Sequence, residues 1–261
     1  KKMLEENAFS IHNAHFAMGP IKLLADGSLG GKTAALIDGY EDDPSNHGIQ
    51  YFTDQELYDI VLLADQNDLD VVIHAIGDKA AHQAIKALVT IIKQSKRSQH
   101  HHALIHAQVI QEEDLALMKT YHIGALIQPI FLNSDIEMAI DRLGKRIQKA
   151  YRFKDFYHLG LSVGFSTDSP IESVNPFNNV MCAMTQSSLN NPDLVLHPDQ
   201  RFTFEEAMDC YHRHNRNFIK LPMNQDYIMI SKNPETINAQ ELPTIEILET
   251  YVDGVCYYKK S

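Results

Sequence analysis

Cysteine is scarce: Cys182, Cys210 and Cys256 are the three in 261 residues, far apart and in no CxxC pairing. That excludes a disulfide framework and a cysteine zinc site, and it fits a reducing compartment. Long apolar runs are missing as well. No window approaches the roughly 18 uninterrupted apolar residues of a membrane span, and the opening Lys1-Lys2-Met3-Leu4-Glu5-Glu6 lacks the apolar stretch of a signal peptide. A cytoplasmic protein with no membrane partner is the expectation. Positive charge is short too, with 23 Lys and Arg against 34 Asp and Glu for a net charge of −11. Such a balance argues against a general electrostatic grip on nucleic acid and leaves a small-molecule substrate as the expected partner. No G-x-S-x-G elbow occurs, which disfavours a serine hydrolase.

What is present is a soluble globular composition and an excess of histidine, 14 residues in all. Histidine is the commonest side-chain metal ligand and a general acid or base near neutral pH, so positions must decide its meaning. Short apolar runs alternate with helical patterns. Strands are expected at Ile21 to Ala25, Asp70 to His74, Ala103 to His106, Ile123 to Gln128 and Leu161 to Phe165. Between them, helical spacing marks stretches from Thr53, from Asp78 to Ser95, from Glu112 to Tyr121, and one long helix from Ser134 to about His158. Thr53 with Glu56, Ser134 with Glu137 and Thr203 with Glu206 have capping-box spacing. Two further helices follow, at about Asn178 to Ser188 and Thr203 to Phe218, and then a tail of short strands from Asp226 with turns at Asn233-Pro234 and Asp253-Gly254. Five strands separated by helices of ten or more residues mean βαβ crossovers and a parallel sheet.

Chemistry in parallel α/β folds gathers at the carboxyl ends of the strands. The polar residues read at those ends are Lys22, His74, His106, Gln128 and Asp168. Each has an ordinary structural reading: a lone histidine as a hydrogen-bonded residue, Asp168 before Ser169-Pro170 as a turn, Lys22 reaching solvent past apolar neighbours. Lys, His, His and Asp on successive units of one rim form a set able to bind a divalent metal.

These segments resemble the amidohydrolase superfamily, in particular its amidohydrolase family 3 branch. The resemblance is carried in order by Ile21-Lys-Leu-Leu-Ala-Asp-Gly-Ser-Leu-Gly-Gly-Lys-Thr-Ala-Ala-Leu36, Ile73-His-Ala-Ile-Gly-Asp78, Ile105-His-Ala-Gln108, Ser166-Thr-Asp-Ser-Pro170, the run from His197 to Ala207, and Thr250-Tyr-Val-Asp-Gly254. It implies metal-assisted hydrolysis, usually of C–N bonds in amides or cyclic amides, on a distorted TIM (β/α)8 barrel. It also implies roles: Lys22, carboxylated, as a ligand bridging two metals; His74 and His106 as ligands of the second metal; Asp168 as ligand and general base. Zinc is the expected ion, one or two in the full-length enzyme, although such ligands also suit manganese, iron or nickel.

The superfamily's His-x-His pair for the first metal has no convincing match. His12 and His15 are separated by two residues, not one, His212 and His214 fall in a helical stretch, and His100 and His102 precede their strand towards the opposite rim. A length near that of a whole barrel suggests completeness, yet only five of eight strands are found. The fold expected is therefore α/β, a partial TIM (β/α)8-type barrel made of the later strands over residues 1–222. A small C-terminal β appendage from a composite β-sandwich domain follows over 223–261. The chain is expected to be the C-terminal part of a longer hydrolase and, with open strand edges, either a homodimer or a rearranged sheet. Two alternatives stand beside this reading. One is a noncatalytic half-barrel or interaction module. The other is a nucleotide-binding protein using Asp26-Gly-Ser-Leu-Gly-Gly-Lys32-Thr33 as a degenerate P-loop, disfavoured because aspartate replaces the first glycine.

Overall fold

The structure, a computed structural model, describes residues 18–214 and 226–261, with the side chains of Arg213 and His214 left undescribed. His12, His15 and the junction at residues 222–223 lie outside the described residues. Strands β1 (Ile21–Leu24), β2 (Val71–Ala75), β3 (Ala103–His106), β4 (Gly124–Ile127) and β5 (Val163–Phe165) form one parallel sheet in the order β1-β2-β3-β4-β5. Helices α1 (Asp54–Asp65), α2 (Asp78–Gln94), α3 (Glu112–Thr120), α4 (Leu132–Leu143) and α5 (Phe153–His158) make the crossovers. Each strand lies beside its sequence neighbour, which is the order of an arc of a (β/α) barrel. A doubly wound sheet would reverse direction at a switch point.

The two faces of the sheet differ. Ile21, Leu23, Val71, Ile73, Leu104, Ala125, Ile127 and Val163 pack with the helices into the main core. The opposite face carries Lys22, Leu24, Val72, Ala103, Ile105 and Leu126, where Val72, Ala103 and Ile105 form a small cluster of their own and Leu24 is 49% exposed. In a closed barrel this second face is the packed interior. Helix α2 shows why these elements form: Ala81, Ala84, Ile85, Leu88 and Ile91 lie on its buried side, at the spacing that turns one face to the sheet. Helix α1 opens with the expected capping box, Thr53 accepting from the Glu56 N–H and Glu56 accepting from the Thr53 N–H.

One helical expectation fails. The stretch from Ser134 to His158 is not a single helix. Helix α4 starts earlier, at Leu132, and Ser134 is not its cap. Gly144 then adopts φ +52°, a 3-10 segment runs over Gly144–Lys149, and Tyr151 at φ +55° precedes α5. The helix ends at Gly144, whose positive φ suits glycine and which packs against Glu41, and further on Tyr151 N–H donates to the Gln108 carbonyl at 2.7 Å while Ala150 bridges Val109. Spacing alone does not reveal such a long-range bond.

Helix α6 (Pro176–Thr185) and the short α7 (Phe204–Asp209) follow, α7 opening with the Thr203–Glu206 capping box and running into a π turn over Cys210–His214. Residues 215–218 of the expected last helix lie outside the described residues. The tail forms a separate antiparallel sheet of β6 (Tyr227–Ile230), β7 (Ile247–Val252) and β8 (Val255–Lys259). Asp253 and Gly254 turn the β7–β8 hairpin at φ +49° and +77°, as a two-residue primed turn requires. Tyr227 and Tyr251 stack across β6 and β7 at 4.5 Å. Leu242 and Ile245, just before β7, are buried in the main core. No described helix is long and apolar enough to cross a membrane.

Candidate metal centre

The carboxyl edge of the sheet brings two of the sequence-assigned residues into contact. His74 is the fourth residue of β2 and His106 the last of β3, with Ala75 paired to His106 in the ladder. On a regular strand His106 would share the helix-side face of Leu104. It instead has φ +73°, followed by Ala107 at φ +47°, and its ring stands 4.5 Å from the His74 ring, edge to face. Phe131 stacks on its other side at 5.6 Å. Left-handed non-glycine residues cost on the order of 1–3 kcal/mol each and persist where surrounding contacts hold them. Here the backbone is held by Ala107 N–H to the Ala75 carbonyl and Val109 N–H to the Ile76 carbonyl, both 3.0 Å.

Both rings are kept neutral. Burial pushes His106 down to about 3, with the charges of His74 and Lys22 adding to it and the bond to Gln128 opposing. His74 is lowered for the same first reason, opposed by its bond to the Gly27 carbonyl and by the charge of Asp168. The ring contacts are specific: His74 Nε2 lies 2.9 Å from the Gly27 carbonyl, and His106 Nδ1 lies 2.7 Å from Gln128 Oε1.

Beneath His74 sits Asp26, fully buried, 3.4 Å from His74 Nε2. Its carboxylate accepts from the Ile76 N–H at 3.0 Å, the Gly77 N–H at 2.8 Å and the Ala35 N–H at 2.9 Å. It therefore ties the long loop after β1 to the loop after β2. Burial pushes its carboxyl up to about 7 against the pull of those three N–H groups. Gly77 has to be glycine here, since a Cβ would stand 2.0 Å from the Ala35 carbonyl oxygen.

Lys22 and Asp168 are placed less directly. Lys22 is the second residue of β1, exposed, paired with Val72 and so two residues short of the level at which Leu24 meets His74. Its charge nonetheless reaches both histidines. Asp168 follows β5 at φ +52° in a turn closed by Ile171 N–H to its carbonyl at 2.9 Å, and its charge reaches His74. Among the described residues, no three His, Cys, Asp or Glu side chains gather into a complete cation site. Two neutral imidazoles in contact fit two nitrogen ligands of a divalent ion, and the lysine and the second carboxylate stand within electrostatic reach of them.

Two participants were not assigned from sequence. Lys22 was taken as the rim residue of β1, yet the strand runs on to Leu24, and the first polar residue past its end is Asp26. An aspartate directly after an apolar strand and before glycine was the available signal. Gln128 stood among the strand-end residues without a role, and its contact with His106 depends on the β3–β4 register.

Comparison with known proteins agrees over most of the chain. The model of the amidohydrolase family matches residues 3–258. The putative amidohydrolase YtcJ of Bacillus subtilis (strain 168) is 32% identical over 267 residues, covering 98% of this chain and 50% of that protein. The N-substituted formamide deformylase of Arthrobacter pascens is 21% identical, over 93% of this chain and 46% of its own length. Among solved structures, an uncharacterized metal-dependent hydrolase from Pyrococcus horikoshii OT3 superposes with a TM-score of 0.74 at 31% identity, covering 83% of this chain and 43% of that one. The chain thus spans about half the length of the relatives it matches.

Proposed function

The chain belongs to the amidohydrolase family, and from that membership we propose that it supplies the later-strand half of a metal-dependent hydrolase cleaving non-peptide C–N bonds in amides or cyclic amides. The observation that carries this reading is the His74–His106 pair, a half-buried and a buried imidazole, both held neutral, 4.5 Å apart at the carboxyl edge of a barrel-type sheet. The metal-dependent hydrolase of similar fold supports the divalent ion, and the formamide deformylase supports the C–N bond.

In this reading His74 and His106 would hold a divalent ion, zinc first among the candidates, and Lys22, once carboxylated, would be a ligand to it and to a second one. An unmodified ammonium at Lys22 would repel both. When bound, the ion supplies Lewis acidity that polarises the scissile carbonyl and makes water more acidic. Asp168 takes a proton from water and returns it to the leaving nitrogen. Asp26 and the Phe131 ring keep the histidines in place. The substrate is a small molecule, nucleic acid and membrane are not partners, and a homodimer would cover the open sheet edges. Three cysteines without disulfides suit a cytoplasmic setting.

The noncatalytic half-barrel has one observation in its favour, the absence of a gathered three-donor set among the described residues. Anomalous scattering at candidate metal edges, on crystals grown with bicarbonate, separates the two. Density for an ion on His74 and His106, with extra density on the Lys22 amine, supports the hydrolase; crystals of metal-soaked protein with neither favour the noncatalytic module.

A further inference from the structure

Gln128 lies at the end of β4, buried, with every polar atom of its amide engaged. Its Nε2 donates to the Leu126 carbonyl at 3.1 Å and to Ser166 Oγ at 2.7 Å. A backbone carbonyl can only accept, so the nitrogen of this amide must face Leu126, and the oxygen must face His106. That oxygen can only accept as well. At 2.7 Å it requires a proton on His106 Nδ1. A neutral imidazole has one N–H, so the electron pair of His106 resides on Nε2.

We propose that Gln128 is a positioning residue which, anchored by the Leu126 carbonyl and the Ser166 hydroxyl, locks His106 in the Nδ1–H tautomer and leaves Nε2 as the electron-pair donor. The inference rests on the metal-site reading only for its purpose; the lock itself is a property of the metal-free chain. Outer partners of this kind orient a ligand ring and fix which nitrogen is available, and their loss typically weakens metal binding by about 10–100-fold. The Phe131 stack and the His74 edge contact already hold the ring plane. What those apolar contacts leave undetermined is where the proton sits, and Gln128 settles it.

The test is histidine tautomer assignment by long-range 1H–15N correlation on the metal-free 261-residue chain, with the His106 signal identified by its loss in His106→Asn. Wild type should show His106 as Nδ1–H. Gln128→Leu should move it to the Nε2–H form that a free imidazole favours, and Gln128→Glu, which keeps an acceptor at the same place, should restore Nδ1–H. Ser166→Ala keeps the Leu126 anchor and should retain Nδ1–H, giving a folded reference if Gln128→Leu is poorly soluble. Cobalt(II) titration of the same proteins should show about 10–100-fold weaker binding in Gln128→Leu. Finding His106 as Nε2–H in wild type, or still as Nδ1–H in Gln128→Leu, overturns the proposal whatever the titration gives. Tautomers as expected in a wild type that takes up no cobalt sustain the lock and overturn the metal reading instead.

Discussion

Histidine and aspartate meet at both edges of the parallel sheet, and the two edges use them in opposite ways. At the amino edge, Arg97 donates to the Leu69 carbonyl and to Asp70 Oδ1, both at 2.9 Å, and stands 3.6 Å from Asp65. Asp70 also accepts from the His101 N–H at 2.9 Å, while Asp65 accepts from Ser95 Oγ at 2.8 Å. His102 Nδ1 accepts from the Val71 N–H at 3.0 Å. Its remaining nitrogen therefore carries the proton, buried and without a hydrogen-bond partner among the described residues. At the carboxyl edge His106 Nδ1 faces an acceptor instead, so its remaining nitrogen carries an electron pair. One edge is a brace closed by an arginine; the other is a pair of rings in edge-to-face contact, with an electron pair left on His106 Nε2. Counting histidines cannot separate them, whereas asking what each ring nitrogen faces does.

The largest expected effect breaks the brace. Arg97→Ala leaves Asp65 and Asp70 nearly buried beside each other without their guanidinium, and removal of one partner from a buried ion pair costs about 3–5 kcal/mol. Urea denaturation should show that loss, and a change below about 1 kcal/mol would mean the amino edge is no brace. Next comes the carboxyl edge. His74→Ala and His106→Ala should each weaken cobalt(II) or zinc binding by at least about 100-fold, the upper end of what an outer partner contributes. His100→Ala and His102→Ala should leave it within about twofold. Equal losses from both sets would erase the distinction. With these ligands alone the chain should also bind at most one ion tightly, and metal analysis giving two per chain at full occupancy would refute that.

A pH series sharpens the same contrast through stability. Burial holds His102 down to about 4, with the charge of Asp70 opposing. The unfolded chain takes up that proton near 6.5, the folded chain only near 4. Stability from the neutral ring is therefore fully present above pH 6.5 and is lost as pH falls from there towards 4. At pH 5 the loss amounts to about 2 kcal/mol. Asp26, pushed up to about 7, acts in the reverse sense, costing stability as pH rises from 4 towards 7. Comparing wild type with His102→Leu isolates the first effect: wild type should lose about 2 kcal/mol relative to the variant between pH 7.5 and 5. A difference that stays constant over that range would show that His102 does not titrate as its burial requires.

Much of this was legible from sequence, and the illegible part has physical causes. Apolar runs ending in His74 and His106 located two strands and their rim, because burial on both faces of a parallel sheet demands such runs. The helix break had a signal of its own in Gly144, whereas the return of the chain through Tyr151 to Gln108 had none, because that bond joins residues far apart in sequence. The same limit hid Asp26 and Gln128. Their partners lie 50 and 22 residues away, at Ile76 and His106, and only strand register brings them together. Lys22 was read at the rim although its strand was expected to run on to Ala25, and it stands as the second residue of β1.

Two serines give the smallest and cleanest version of the comparison. Ser95 donates to Asp65 and accepts from the Arg97 N–H at 3.1 Å, so Ser95→Ala removes two bonds that hold the brace. It should cost about 1–2 kcal/mol in stability, about 0.5–1 for each of the two hydrogen bonds, with metal affinity unmoved. Ser166 accepts from Gln128 at the carboxyl edge, half exposed, with the Leu126 carbonyl still present to hold the amide when its hydroxyl is lost. Ser166→Ala should therefore barely change stability and should weaken cobalt(II) binding by less than the about 10–100-fold of a lost outer partner. Each serine supports a histidine-rich edge through one hydroxyl, so the pair is matched in chemistry and differs in what the edge is for. If both variants moved stability and neither moved affinity, the carboxyl edge would be a second brace, and His106 would have its proton placed for packing alone.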